Sequence, residues 1–480
     1  MTTTNPGDAL SRRQKFLYIL LLGALTALGP FTVDLYLPAF PALEASLNVT
    51  EAAVQLTLTG TTVGFALGQL VVGPFSDKFG RRLPLILATA LHIAASFGAA
   101  LSTDIATLGV FRVLMGIGAA GGGVVAMAMV RDLFSGYAMV RMFSRMALVN
   151  GLAPILAPVI GSQLLLVMPW PGIFVFLACY GTAVILAAVV LVRETLPREK
   201  RGQSGLTARQ RYGVLFSDRI FVGLLMLGGM NFGGLFTYLS ASPFLFQDIF
   251  GFSPQQYGLL FGINSLGIVA GVQTSSRLIR RVPPQWILAC STAWMFLMAV
   301  LIVVFDQLGF GLWGVMVPLW FYILGTGFTF PCVQVLALAS HGAQAGTAAS
   351  LLGASTFLMA GIISPVVGWL GGNSATPMGA VQACCIFLAA AALWLVVRPR
   401  TVPSIHSVSR RVGWHHDPQT PPQRPRTVPR SHPRRRGRLL RRQDDGQRGA
   451  GHPGGRRRRF CSAVPRKSGT VEPALTRRFP

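Results

Sequence analysis

The sequence predicts an all-α integral membrane protein in which twelve transmembrane helices form two similar six-helix bundles. The first supporting observation is composition: 52% of the 480 residues are hydrophobic and only 12% are charged, whereas ordinary soluble domains carry roughly 25% charged residues. The second is the recurrence of apolar runs of about 20 residues, the length at which a helix crosses roughly 30 Å of hydrocarbon. The third is that features of the first half return in the second half.

Twelve apolar runs are the predicted spans, and prolines make the limits of the fifth and tenth the least sharp. The first run follows basic residues, as in a signal peptide, but it exceeds the about 7 to 15 residues of a signal-peptide core and contains Asp34. We therefore predict a retained first helix. The spans are 16–36, 52–75, 83–101, 105–130, 142–168, 172–192, 220–245, 255–276, 286–305, 309–336, 345–370 and 377–397.

Positive charges lie on alternate loops and helix ends, which predicts the orientation. Short loops rich in Lys and Arg stay on the cytoplasmic side of a membrane. All Lys and Arg residues before position 398 except Arg112 lie on one predicted side, and the loops opposite carry only acids. Both termini are therefore predicted to be cytoplasmic. The acids of the opposite loops are Glu44, Glu51, Asp104, Asp248 and Asp306.

Three echoes between the halves predict an internal duplication, which is typical of transporters that rock two bundles around a midplane site. The predicted organisation is a cytoplasmic N-terminus (1–15), an N-terminal bundle (16–193), a cytoplasmic linker (194–219), a C-terminal bundle (220–397) and a disordered basic tail (398–480). The echoes pair Gly73 with Gly271, Pro158 with Pro365, and Gly116 and Gly118 with Gly325 and Gly327, at offsets of 198, 207 and 209 positions.

Asp34 in the first apolar run and Arg112 in the fourth are the charged residues that we single out inside predicted spans. Such a side chain is costly in hydrocarbon unless it faces protein or a water-filled cavity, so it marks a transport or proton-relay site. Two alternatives stay open. Asp34 could be an interfacial residue near the outer boundary, and Arg112 could be a hydrogen-bond anchor between helices.

The loop after the second span contains a turn motif formed by Gly73, Asp77, Gly80, Arg81 and Arg82. We expect Gly73 to allow close helix approach, Asp77 to meet Arg81 or a helix N-terminus, and Gly80 to adopt a positive φ. The motif resembles the signature loop of the major facilitator superfamily, in which this loop locks the outward-facing state. The resemblance covers residues 12–400 and implies the same two-bundle fold.

Further motifs resemble proton-coupled drug exporters within that superfamily. The glycine-rich segment around Arg112 is similar to the intramembrane-arginine motif of proton-coupled members. The segment from Val33 to Pro41 resembles the Bcr/CflA (bicyclomycin and chloramphenicol resistance) drug:proton antiporters of bacteria. The second half departs from the pattern, since Ser275 replaces the motif aspartate and no arginine matches Arg112. The fifth span carries residues similar to the Gly/Pro-rich motif of antiporters, namely Pro154, Pro158 and Gly161.

The resemblance implies a bacterial inner-membrane transporter that exports small amphipathic drugs, of the bicyclomycin or chloramphenicol kind, in exchange for protons by alternating access. Asp34 is the expected proton carrier and Arg112 its stabilising partner. Asp132 is a third candidate, whose alternative role is to neutralise Arg131 or Arg141. The alternative function is a proton-coupled symporter or exporter of a sugar, an amino acid or another small metabolite. We expect a monomer whose partners are the drug, protons and the lipid bilayer, without nucleic acid, cofactor, metal or enzymatic activity.

Polar residues within the spans are candidates for lining a substrate cavity, although such residues also tie membrane helices together. The candidates are Tyr36, Asn150, Asn231, Tyr238, Asn264 and Gln334. The tail 398–480 holds 22 Lys and Arg against four acids, so it cannot bury a core and is expected to be disordered. A frame-shifted reading frame is the alternative origin of the tail, and we assign it no function.

Overall fold

The computed structural model describes residues 7, 11–201, 208–339, 341, 345–371 and 374–402. Residues 202–207 of the predicted linker and residues 403–480 of the predicted tail lie outside them. The helices are α1 (Arg12–Asp34), α2 (Phe40–Leu47), α3 (Glu51–Phe79), α4 (Arg82–Ala100), α5 (Ile105–Leu133), α6 (Gly136–Leu164), α7 (Pro171–Leu191), α8 (Ala208–Ser217), α9 (Arg219–Phe244), α10 (Pro254–Leu278), α11 (Pro284–Gln307), α12 (Gly311–Ala339), α13 (Ala345–Leu370) and α14 (Thr376–Ala391).

Eleven helical segments in the described part of the chain are long and apolar enough to span a membrane. The remaining predicted span is α6, whose apolar part is Gly151–Leu164 and whose first half carries Arg141 and Arg145. Several helices continue beyond the predicted spans at their basic ends; for example, α5 ends at Leu133 rather than at residue 130. Hydropathy detects only the part of a helix that lies in hydrocarbon, which accounts for the difference.

The first span differs most from its prediction, because it continues to Leu47 instead of ending at residue 36. The α-helix breaks after Asp34, and a 3₁₀ turn from Leu37 to Ala39 leads into α2. Pro38 in this turn cannot donate a backbone hydrogen bond, which favours the break. Asp34 therefore lies within the span, thirteen residues before its end, rather than at its outer boundary.

The two bundles repeat one helix crossing. In the first, α3 crosses α5 where a Cβ on Gly64 or on Gly116 would overlap a backbone carbonyl oxygen of the other helix. In the second, α10 crosses α12 at Gly271 and Gly327 in the same way. Glycines are needed at both crossings because any side chain would separate the backbones.

One expectation about the turn motif is wrong. Gly73 does not mediate a close helix approach, since the nearest atom to a Cβ placed there would be Val124 Cγ1 at 3.8 Å. The close contacts of α3 occur at Gly68 and Gly64, about one and a half and two and a half turns earlier. Gly73 instead lines the central cavity.

The ends of the helices lie at two opposite faces of the molecule. We call the end at which α3 is followed by α4, near Arg81, the basic face. The opposite end, at which α2 is followed by α3, near Glu44 and Glu51, is the acidic face. Phe40 packs against Phe244 of the second bundle near the acidic face, with ring centroids 5.8 Å apart.

Candidate transport cavity

A cavity of about 1080 Å³ lies between the bundles. Its walls come from α1, α3, α5 and α6 of the first bundle and from α9, α10, α12 and α13 of the second. It extends from Asp34 to Asp132 and Gly346 at the basic face. The cavity is therefore accessible from the basic face, while contacts between the bundles close the acidic face.

Aromatic side chains cover much of the cavity wall. Phe65 of the first bundle stacks on Phe357 of the second, with centroids 4.7 Å apart and planes inclined by 13°. The rings of Phe232 and Phe357 make a T-shaped contact with centroids 5.2 Å apart. A wall of this kind suits an amphipathic ligand, because large apolar faces surround a small number of polar groups. Further aromatic lining residues are Phe236, Tyr238, Phe261 and Phe330.

The predicted antiporter motif forms part of the closure between α6 and α10. Pro158 has no backbone N–H, so the carbonyl of Pro154 four residues earlier has no helical donor. Ser265 of the second bundle donates its hydroxyl to that carbonyl, with Oγ to O at 3.3 Å. Closer to the acidic face, Gln255 donates its side-chain amide to the carbonyl of Ser162 at 2.9 Å. A proline of the motif thus supplies an acceptor that joins the two bundles.

The corresponding segment of the second half, around Pro365, makes the same kind of contact between α3 and α13. Pro365 leaves the carbonyl of Gly361 without a helical donor, and Thr59 of the first bundle donates its hydroxyl to it at 3.0 Å. Closer to the acidic face, Gln55 Oε1 accepts the backbone N–H of Gly368 at 3.1 Å. The two halves therefore make equivalent contacts, in each of which a hydroxyl group of one bundle donates to a carbonyl that a proline of the other bundle leaves without a helical donor. We call these two contacts the proline seams.

The third motif residue, Gly161, contacts the break in α1. A Cβ at Gly161 would overlap the carbonyl oxygen of Leu35, the residue that follows Asp34. The antiporter motif therefore touches the second bundle through Pro154 and the candidate proton site through Gly161.

Asp34 is the last residue of α1 and lines the cavity near its closed end. Its exposed fraction is 5%. It makes no hydrogen bond or ion pair with any group that the structure describes. The hydroxyl of Tyr238 is close enough to interact electrostatically with its carboxylate. A negative charge there would lie at the carboxyl end of a helix, where the helix dipole opposes it.

Arg112 lies behind α1 rather than beside Asp34. Its side chain is fully buried, and Nη1 donates to the carbonyl oxygen of Thr32 at 2.7 Å. The guanidinium lies over the ring of Tyr36, 4.5 Å from its centroid, and 5.7 Å from the ring of Phe174. Nε and Nη2 have no hydrogen-bond partner among the described groups. Arg112 thus binds a carbonyl of the last turn of α1, where a cation is favourable.

The turn motif forms an ionic cluster at the basic face. Arg81 binds Asp77 through Nη1 at 2.5 Å and Asp132 through Nε at 2.9 Å. Burial alone would lower the pKa of Arg81, but the hydrogen bonds and charges of Asp132 and Asp77 raise it above the ordinary arginine value. Asp132 is therefore a partner of Arg81, and about 30 Å of helix α5 separates it from Arg112.

Sequence reasoning missed Glu194, which completes this cluster. Its carboxylate accepts the backbone N–H of Arg81 at 2.8 Å and that of Arg82 at 3.3 Å, and so caps the start of α4. Gly80 has φ +95°, and a Cβ there would overlap the same carboxylate. Burial would raise the pKa of Glu194, but these donors, the N–H of Leu196 and the charge of Arg201 lower it below its ordinary value. The only sequence signal was an acid within a basic stretch.

Only two of the six cavity candidates have side chains that the structure places in the cavity wall: Tyr238 and Asn264, joined by a hydrogen bond of 3.0 Å from Asn264 Nδ2. Tyr36 packs against Arg112, and Asn231 donates to Thr329 within the second bundle. Gln334 is exposed and is not part of the described wall. The side chain of Asn150 lies outside the described residues.

A helical protein with two bundles around a cavity that is accessible from one face and closed at the other has the architecture of a secondary transporter. The chain belongs to the Major Facilitator Superfamily, whose family model matches residues 20–365 and again 240–443. It is a multi-pass membrane transporter and not an enzyme, and the predicted family and fold are confirmed.

Similar proteins agree with this assignment. The MFS-type transporter YdgK of Bacillus subtilis is 35% identical over 373 residues, which cover 77% of this chain and 92% of that protein. A bicyclomycin resistance protein homolog of Haemophilus influenzae is 30% identical over 80% of this chain and 97% of its own length. The crystal structure of a D-xylose-proton symporter aligns with 81% of this chain and 99% of that one, with TM-score 0.67 and 16% identity, which supports the fold alone.

Proposed function

We propose that this protein exports small amphipathic drugs across the bacterial inner membrane in exchange for protons, by alternating access of the central cavity. The observation that carries the proposal is one buried carboxylate, Asp34, near the closed end of an aromatic cavity. Relatives named for bicyclomycin resistance and multidrug resistance support the substrate class; the multidrug resistance protein MdtL of Shewanella oneidensis is 27% identical over 74% of this chain.

The proton is carried by Asp34 in this proposal. Burial and the adjacent helix end disfavour a bare negative charge, so the acid holds a proton until a cationic or polar group of the drug replaces it. The proton binds the ionised carboxylate of Asp34 and neutralises it, whereas the drug favours the carboxylate without its proton, so the affinities for proton and drug are coupled. Arg112 has no carboxylate partner among the residues that the structure describes, and through Thr32 it fixes the backbone of α1 two residues before Asp34.

The basic face is assigned to the cytoplasm because loops rich in Lys and Arg remain there. Both termini are then cytoplasmic, and the described conformation faces inward. A drug enters from the cytoplasm or the inner leaflet, passes the cluster of Arg81 and Asp132 at the mouth, and reaches Asp34. Breaking the two proline seams at the acidic face releases it outside.

Asp34→Asn tests the proton role in everted membrane vesicles whose lumen has been acidified by respiration. Addition of a transported drug to wild-type vesicles should release protons and collapse the pH gradient, and Asp34→Asn should abolish this release. Asp104→Asn, at an exposed carboxylate on the acidic face, is the matched control and should behave as wild type. Asp34→Glu keeps the acid and should retain part of the exchange.

Normal drug-dependent proton release by Asp34→Asn would refute the assignment of the proton carrier. Drug accumulation in wild-type vesicles without any proton release would refute exchange as such. A symporter would release no protons in this assay. Its substrate and protons leave the lumen together, so substrate added outside the vesicles does not discharge the pH gradient.

A further inference from the structure

Asp34 belongs to the first bundle, but the titratable groups that face it belong to the second. Among the described residues, the hydroxyls of Tyr238 on α9 and Tyr257 on α10 are near enough to interact electrostatically with its carboxylate. Arg112 of α5 and Tyr180 of α7 instead donate to carbonyl oxygens of α1. The charged residues of α3 and α6 lie toward the faces of the molecule. The polar surroundings of Asp34 therefore depend on how the two bundles meet.

Tyr238 is held in a hydrogen-bonded network of the second bundle. Its ring is stacked on Phe261, with centroids 5.6 Å apart and planes inclined by 20°, and its hydroxyl accepts Nδ2 of Asn264 at 3.0 Å. Ser242, one turn further along α9, lies near the same hydroxyl and shares a hydrogen bond of 2.9 Å with the hydroxyl of Tyr257. A phenol hydroxyl accepts one hydrogen bond and can donate its own proton to another group. Asn264 therefore fixes the Tyr238 hydroxyl while leaving it able to donate to a carboxylate in the cavity.

Opening of the acidic face has to separate Asp34 from this network. The turn that follows Asp34 packs against both α9 and α10. Beyond the end of α9, the side-chain amide of Gln247 donates to the carbonyl of Pro38 in this turn at 3.3 Å. These contacts join the bundles on the acidic side of Asp34. We therefore expect Asp34 and Tyr238 to be neighbours only while the acidic face is closed.

We propose that Tyr238, positioned by Asn264, donates a hydrogen bond to Asp34, directly or through one water, when the proton has left and no drug is bound, and so keeps the acidic face closed. An ionised carboxylate in a cavity of low dielectric needs such a donor. A proton on Asp34 removes the charge, and a drug that binds the carboxylate takes the place of Tyr238. Only transporter molecules that carry a proton or a drug then open the acidic face.

This role of Tyr238 rests on the proposed exchange of drug for protons, and it deepens that proposal. An exchanger whose empty, ionised form could open to the outside would carry protons inward without exporting drug. The bond between Asp34 and Tyr238 prevents this cycle, because it stabilises the closed acidic face only in the form that carries neither ligand.

Proton leak into proteoliposomes tests the proposal. The vesicles contain the full-length protein and a pH-sensitive dye, with an imposed pH gradient and with potassium and valinomycin to clamp the membrane potential. Without drug, Tyr238→Phe should pass protons about 10- to 100-fold faster than the wild type, because a hydrogen bond to a charged group is of the stronger kind. Asn264→Ala should leak by an intermediate amount, and it tests the proposal independently if Tyr238→Phe fails to fold. Asp34→Asn/Tyr238→Phe should leak no more than the wild type, because the leak runs through Asp34.

Tyr322→Phe is the matched control. It also removes a fully buried tyrosine hydroxyl of the second bundle, but that hydroxyl faces Gly234 within the bundle, so the leak should stay at the wild-type rate. A wild-type rate in folded Tyr238→Phe, an equal leak in the control, or a leak that persists in Asp34→Asn/Tyr238→Phe would overturn the role of Tyr238 and leave drug-proton exchange standing. Wild-type vesicles in which added drug moves no protons would instead refute the proposed function, and the role of Tyr238 with it.

Discussion

The two proline seams predict that single hydroxyl groups bias the transporter between its conformations. Thr59→Val keeps the shape of the side chain and removes the donor to the carbonyl of Gly361, which Pro365 leaves without a helical partner. With the acidic face closed, that carbonyl is then buried and unsatisfied, at a cost of about 1–3 kcal/mol. With the face open the carbonyl meets water, so the population of the open form should rise about 5- to 150-fold.

A second substitution isolates this mechanism. Pro365→Ala restores an N–H for the carbonyl of Gly361, and in that background Thr59→Val should have little effect. The two changes are therefore expected to be strongly non-additive, which a double-mutant cycle measures directly. Ser265→Ala should act on the other seam as Thr59→Val acts on this one, through the carbonyl that Pro158 leaves without a donor.

Distances between nitroxide labels at Ala45 and Leu308 report the opening, because both positions are exposed near the acidic face, one in each bundle. The measurement uses protein in lipid vesicles with its own cysteines replaced. Thr182→Val is the matched control, since that hydroxyl bonds within its own helix to the carbonyl of Ala178. An unchanged distance distribution in folded Thr59→Val, or the same shift in the control, would refute the reasoning.

Two further predictions concern Arg112 and Glu194. Arg112→Lys keeps the charge but loses the planar stacking on Tyr36, and it should lower the free energy of unfolding in detergent by about 2 kcal/mol. Tyr36→Phe keeps the ring face and should lower it by less. A larger loss in Tyr36→Phe than in Arg112→Lys would contradict the stacking argument. Glu194 has a lowered pKa, so its stabilisation is fully present above about pH 4.3 and is lost as pH falls through the folded value. The difference in Tm between wild type and Glu194→Gln should therefore be constant above about pH 5 and shrink toward pH 3; a difference that persists there would contradict the charge-based account.

The sequence predicted the helices and the basic turn well, for a physical reason. A helix in hydrocarbon satisfies its own backbone, so a run of about 20 apolar residues is enough to predict it. The positive φ of Gly80 and the pairing of Asp77 with Arg81 are also local, and the structure agrees with both.

The parts of the site that the sequence did not reveal depend on contacts between distant segments. Glu194 caps α4 from more than 110 positions away in the sequence. Tyr36 was predicted to line the cavity, but its ring packs against the guanidinium of Arg112 instead. The prolines of the antiporter motif were expected to bend helices. Each of these prolines also leaves a backbone carbonyl without a helical donor, and a hydroxyl of the other bundle donates to that carbonyl. The sequence cannot predict this contact, because it does not show which hydroxyl lies opposite the carbonyl.

The end of α1 connects the candidate proton site with the interface between the bundles. Arg112 holds the carbonyl of Thr32, Gly161 packs on the carbonyl of Leu35, and Asp34 between them faces the cavity. Gly161 is two turns from Pro154, whose carbonyl binds the second bundle. Leu35 is thus held by α6 and Thr32 by α5, so the segment that carries Asp34 is fixed on its two sides by different helices of the first bundle. In the proposed transport cycle we therefore expect a shift of α6 against α5 within this bundle to change the surroundings of Asp34.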